Sequence, residues 1–158
     1  MDGQPAGRSP VAIRFGATRI DSHVSSAHAL TMGHQHPLAV APGDIDHMGH
    51  VNNAVYLSWV QDAVVAYWER VAPAEAVAKH LWVALRHEIT YRRPAFLDDT
   101  IVATVVAERV EGVRAYFSTL IQRGEEVLAE VQSTWCSLDA GTKRPARLAH
   151  DVVNRFLP

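Results

Sequence analysis

The run Asp44-Ile45-Asp46-His47-Met48-Gly49-His50-Val51-Asn52-Asn53-Ala54-Val55-Tyr56 sets a carboxylate and an imidazole immediately ahead of a long apolar stretch with helical spacing. Gly49 makes the segment a loop, and Asn52 or Asn53 suits the cap of the helix that follows. The first turn of that helix carries N–H groups without an intrahelical acceptor and with partial positive charge. Such donors favour the ionised form of a nearby carboxylate. A carboxylate so placed can attack a carbonyl, or activate water against it, while the donors hold the carbonyl oxygen. Each residue also has a plainer role open to it. Asp46 could shape an Asx turn, Asn52 could serve only as a cap worth about 1 kcal/mol, and Tyr56 could simply pack one turn along. Gly49 supplies either a backbone angle or a close approach that a Cβ would block.

The pattern Asp-x-x-Gly-His-Val-Asn-Asn-x-x-Tyr, filled by Asp46, Gly49, His50, Val51, Asn52, Asn53 and Tyr56, resembles the signature of hot-dog-fold acyl-CoA thioesterases, the 4-hydroxybenzoyl-CoA thioesterase-like group. A second stretch, Tyr91-Arg92-Arg93-Pro94-Ala95-Phe96-Leu97-Asp98-Asp99, is similar to that family's strand ending in a proline and an acidic turn. The resemblance extends from about His36 to about Leu148.

That resemblance implies an α+β protein: a single hot-dog domain in which an antiparallel sheet wraps one long central helix. It also implies hydrolysis of an acyl-CoA thioester to a free acid and CoA, with Asp46 as nucleophile or general base and the amide N–H of Asn53 directed at the thioester oxygen. The leaving group is undemanding, since a free thiol has a pKa of about 8.5. His50 would orient substrate and protonate the departing sulfur, or hold the loop by a hydrogen bond. In the related plant acyl-carrier-protein thioesterases an Asn stands between the corresponding Asp and His, and Met48 takes that place here. Gly49, Asn52, Tyr56 and Trp59 are the expected substrate contacts. Arg92 and Arg93 are either contacts to the CoA phosphates or ordinary solvated arginines. No cofactor is expected. The resemblance further implies a homodimer or homotetramer with its acyl channel where two helices meet, lined by Tyr56, Trp59 and Trp82. An acyl carrier protein in place of CoA stays open. Asp62, on the helix itself, is read as part of a polar Gln61-Asp62 pair facing a subunit contact.

With 158 residues and 48% hydrophobic content the chain can enclose one core, and its net charge of -2 speaks against a nucleic-acid surface. The only cysteine, Cys136, excludes an intrachain disulfide and reads as a buried strand residue. Residues 1–34 lack sustained periodicity and the apolar core of a secretory signal, so they are expected to form a flexible tail before a domain at 35–158. His34, His36, His47 and His50 with Asp44 and Asp46 lack the spacing of a metal site, and none is expected. The apolar helix is interrupted by Gln61, Asp62, Glu69 and Arg70, so no membrane span is expected and the protein is expected to be cytoplasmic.

The periodicity predicts a first strand over 36–41, a helix over 53–71, a short helical stretch to about His80, and four strands at 82–94, 100–110, 113–122 and 126–138. Turns at Leu97-Asp98-Asp99, Glu111-Gly112 and Arg123-Gly124-Glu125 make the pairing antiparallel. The helix is apolar round most of its circumference and so must be wrapped. A short amphipathic helix is predicted within 145–158. The competing functions are an acyl-CoA-binding protein that does not hydrolyse its ligand and, less in keeping with the Asp-to-His spacing, a hydroxyacyl-thioester dehydratase.

Overall fold

The computed structural model describes residues 33–157, so the expected tail lies outside them but for its last two positions. In chain order the elements are β1 (His34–Leu38), a 3-10 turn (Pro42–Asp44), α1 (Val55–Val71), α2 (Ala74–Lys79), β2 (His80–Tyr91), β3 (Ile101–Glu111), β4 (Arg114–Arg123), β5 (Glu126–Asp139) and α3 (His150–Phe156). The strands form one antiparallel sheet in the order β1-β3-β4-β5-β2. Helix α1 packs across one face of it, which is the α+β hot-dog arrangement that the family resemblance implied.

The first strand sits earlier than its apolar pattern suggested, because β3 begins at Ile101 and the ladder therefore stops at its partner Leu38. Pro37 is accommodated inside β1, since an edge strand loses nothing when one outward residue lacks an N–H. Strand β2 is also displaced. It starts at His80, opposite Asp139, and ends at Tyr91, where the N–H groups of Arg92 and Arg93 both turn to the carbonyl of Leu128 at 2.8 and 3.1 Å.

Alternation on β4 divides the sheet's two faces. Ala115, Phe117, Thr119 and Ile121 point into the core, where all are essentially inaccessible, together with Ile101, Ala103, Val105 and Ala107 of β3. Against them lie Tyr56, Trp59, Val60, Ala63, Val64, Tyr67 and Trp68 of α1. Phe156 of α3 closes the far end, stacked on Trp82 with ring centroids 5.8 Å apart and accepting a hydrogen bond from the Tyr67 hydroxyl at its carbonyl. Cys136 is buried, as its strand position suggested.

The helix is not enclosed all round. Leu57, Ser58, Gln61, Asp62, Glu69 and Arg70 remain exposed, because one five-stranded sheet covers only one flank of a rod this wide. The neighbouring edge strand β2 exposes Leu81, Val83 and Leu85 on its other face. Among the described residues no helix is long and apolar enough to cross a membrane.

Candidate active site

The loop ahead of α1 is a small hairpin. Ile45 bridges to Val51, the Asp46 N–H donates to the His50 carbonyl at 2.9 Å, and the Asn52 N–H donates to the Asp44 carbonyl at 2.8 Å. Gly49 turns its tip with φ +84, and a Cβ there would meet nothing within 4 Å among the described residues. Of its two expected roles, the backbone angle is therefore the one it fills. The hairpin is fixed to the body through the Val51 N–H, which donates to the Ala95 carbonyl at 2.8 Å.

Because Asp46 and His50 stand on facing legs of this hairpin, their side chains come together. Asp46 Oδ2 lies 3.6 Å from His50 Nδ1, with the two side chains 16% and 25% exposed. The other oxygen, Oδ1, accepts the Met48 N–H at 2.8 Å. The Asx turn considered as an alternative role is thus formed, and it occupies one carboxylate oxygen only. His47 and Met48 point outward and are exposed.

Helix α1 begins at Val55, two residues later than its pattern suggested, because Asn52 shapes the entry. Its Oδ1 accepts the Ala54 N–H at 2.9 Å and its carbonyl accepts the Val55 N–H at 2.9 Å. Between these bonds the Asn53 N–H is left without an acceptor among the described residues. The Asn53 carbonyl accepts the Tyr91 hydroxyl at 2.9 Å. Tyr91 was visible in the sequence only as a strand aromatic; it is the residue that ties the end of β2 to the start of α1.

Tyr56 and Trp59 are enclosed, at 1% and 5% exposure, and pack on one another with centroids 4.9 Å apart. Tyr56 also meets Tyr91 edge-on, and burial pushes its phenol pKa up to about 12. In the single chain these two aromatics form the floor beneath the helix start. Arg92 and Arg93 are exposed just beyond β2 and are held by carboxylates of β5: Arg92 by Glu130 at 2.8 Å and Arg93 by Glu126 at 3.5 Å. Glu126 also binds Arg123, which reaches Asp99, and Asp99 accepts the Phe96 N–H at 2.8 Å. This chain of charges shapes the 94–99 loop that carries Ala95. The sequence showed an acidic turn there but not its partner on β4.

Asp62 lies on the exposed flank of α1, away from the hairpin's hydrogen bonds. Among the described residues no three His, Cys, Asp or Glu side chains gather as a metal ion requires. What the hairpin and helix start assemble is a carboxylate with one engaged oxygen, an imidazole beside the other, and an unbonded amide donor where the helix begins.

Comparison with known proteins places this chain among relatives. The model of the thioesterase-like superfamily matches residues 40–156. The long-chain acyl-CoA thioesterase FadM of Escherichia coli is 29% identical over 116 residues, covering 71% of this chain and 88% of FadM. A thioesterase from Thermus thermophilus, solved with coenzyme A and zinc, is 28% identical with a TM-score of 0.67 over 77% of this chain and 90% of its own. The probable thioesterase YbaW of Escherichia coli shares the fold, at 23% identity and a TM-score of 0.67 over 78% of this chain and 98% of its own.

Proposed function

This chain belongs to the thioesterase-like superfamily, and from that premise we propose that it hydrolyses acyl-CoA thioesters to a carboxylic acid and CoA. The observation that carries the proposal is the division of labour within Asp46. One oxygen is pinned by the Met48 N–H and the other stands beside His50, so the side chain is held in one orientation with a lone pair still available.

In the proposed reaction Asp46 Oδ2 takes a proton from water as the water oxygen bonds to the thioester carbon, or bonds to that carbon itself. The carbonyl oxygen gains negative charge and accepts the free Asn53 N–H, a donor fixed by Asn52 on one side and Tyr91 on the other. The C–S bond then breaks, and His50 gives a proton to the departing sulfur or holds the loop while the thiolate leaves. If Asp46 has attacked directly, water cleaves the resulting anhydride. Gly49, Asn52, Tyr56 and Trp59 serve this site as scaffold and floor. Arg92 and Arg93, both exposed, are the proposed partners of the CoA phosphates, exchanging their surface carboxylates for a more highly charged ligand.

A homodimer or homotetramer is part of the proposal. The uncovered flank of α1, with exposed Leu57, and the proline-free edge of β2 adjoin one another as surface that a second copy would cover, and Leu81, Val83 and Leu85 are exposed on the opposite face of that edge. Light scattering on the purified chain tests this directly, and a monomer at micromolar concentration would refute it.

The test of the chemistry is thiol release from acyl-CoA thioesters of graded chain length by the wild type and the Asp46→Asn variant. Binding of the same thioesters without turnover by the wild type would instead establish the non-hydrolytic reading.

A further inference from the structure

On its inward side β2 presents Trp82, Ala84, His87, Ile89 and Tyr91, each only half-buried because α1 leaves this edge of the sheet partly uncovered. Four of the five are apolar or aromatic, and the alternation asks for nothing else at the fifth. His87 is the exception. Its ring stands edge-on to Trp135, with centroids 5.6 Å apart at 88°.

Its Nδ1 is enclosed and has no hydrogen-bond partner among the described residues. The Trp135 indole N–H donates to Ser133 Oγ at 2.9 Å, and Ser133 is the residue opposite His87 in the ladder. Burial lowers the His87 pKa below its ordinary 6.5, so the ring is neutral near pH 7, with one nitrogen a donor and the other an acceptor. A buried polar atom left unpaired is destabilising, and a leucine or methionine would fill this site without that cost. Apart from its edge-on contact with Trp135, no hydrogen bond among the described residues uses the imidazole.

Its place relative to the proposed site is definite. Tyr91, four residues further along the same inward row, holds the helix start through Asn53. The register of β2 is unbroken between the two, its irregularity lying at Ala84/Arg86. At a strand rise of about 3.3 Å per residue, His87 is roughly 13 Å from Tyr91. A chain running from a thioester at the helix start along this uncovered row reaches His87 after on the order of ten bonds. Every other side chain of the row beyond Tyr91 is apolar save for the enclosed indole N–H of Trp82, which likewise has no partner among the described residues and lies further along.

We propose that His87 is a specificity-determining contact of the acyl site, hydrogen-bonding through Nε2, the ring nitrogen that is not enclosed, to a hydroxyl or oxo group borne by the acyl chain near its far end. The preferred substrates are then acyl thioesters of medium length carrying such a polar group, rather than unsubstituted chains. This inference rests on the thioesterase reading above.

The test is kcat/KM for decanoyl-, dodecanoyl- and tetradecanoyl-CoA against the same chains hydroxylated near the methyl end. It uses the full chain as wild type, His87→Leu and His87→Gln. The wild type is expected to favour the hydroxylated member of at least one pair by roughly tenfold, the scale of one net hydrogen bond. His87→Leu brings that ratio to about one, and His87→Gln, which keeps a donor and an acceptor, retains part of it. Wild type that hydrolyses the unsubstituted chains equally well or better, with the ratio unchanged in His87→Leu, overturns the role of His87 and leaves the thioesterase reading intact. Wild type that hydrolyses none of the CoA thioesters overturns both. If His87→Leu does not fold, the ratio in His87→Gln decides. Loss of oligomers in His87→Leu with no change in the ratio assigns the ring to a subunit contact and overturns the proposal.

Discussion

Replacing Asp46 by Asn separates the structural task of its carboxylate from the chemical one. Asparagine keeps an oxygen where Oδ1 accepts the Met48 N–H, so the Asx turn is retained, and it places an amide nitrogen where Oδ2 faced His50. What is lost structurally is a contact of 3.6 Å between partly exposed groups, longer than a hydrogen bond, whose contribution to stability is below about 1 kcal/mol. For a chain of this size that shifts the melting midpoint by no more than about 4 °C. What is lost chemically is the lone pair that accepts a proton or attacks carbon, which is worth about 100-fold to 10,000-fold in rate, or roughly 3–5 kcal/mol of barrier. The two magnitudes are far enough apart to be read separately by thiol release at saturating acyl-CoA and by thermal melting. Asp46→Ala completes the comparison, because it removes the turn acceptor as well and so should lose both rate and about 1 kcal/mol more stability. If the carboxylate only shapes the loop, Asp46→Asn will turn over like wild type and Asp46→Ala alone will fail. That pattern refutes the reasoning.

Gly49→Ala should destabilise by about 1–2 kcal/mol through its φ of +84 alone, since the new methyl meets no atom within 4 Å, and chemical denaturation measures it. Tyr91→Phe removes the 2.9 Å bond to the Asn53 carbonyl; it is expected to cost about 1 kcal/mol in stability and a larger factor in kcat, with KM less affected, as the donor at the helix start loosens. Equal losses in melting midpoint and no change in kcat would deny Tyr91 its positioning role. Burial holds the pKa values of His34, His80 and His87 below the 6.5 of an unfolded histidine, so the unfolded chain binds more protons as the medium is acidified. The stability they contribute is whole above about pH 6.5 and falls as pH drops below that value. Melting midpoints between about pH 7.5 and 5.5 should therefore decline, less steeply in His87→Leu than in wild type.

The parts of this molecule that were legible in its sequence are those determined by short-range rules. The strands announced themselves by alternation and by the turns between them, and α1 by its apolar density; the ends moved by two or three residues where a ladder partner, not local propensity, set the limit, as Ile101 does for β1 and the Leu128 carbonyl for β2. Within the hairpin the spacing from Asp46 to His50 was enough to bring the two side chains together, because a tight turn at Gly49 leaves few ways to place them. The supports of the site were not legible, and for one reason. Tyr91 to Asn53, Ala95 to Val51 and Arg123 to Asp99 each join segments distant in the chain, through groups whose types are common in any strand or loop. What covers the helix was not legible on the same ground: apolar residues round a helix show that something must cover it, as the sheet does on one flank, but not whether one chain supplies all of the cover. The uncovered flank of α1, the free edge of β2 and the unpartnered His87 beside them are where the single chain departs from the consistency shown elsewhere in its core, and such departures are expected where a protein meets a ligand or another copy of itself.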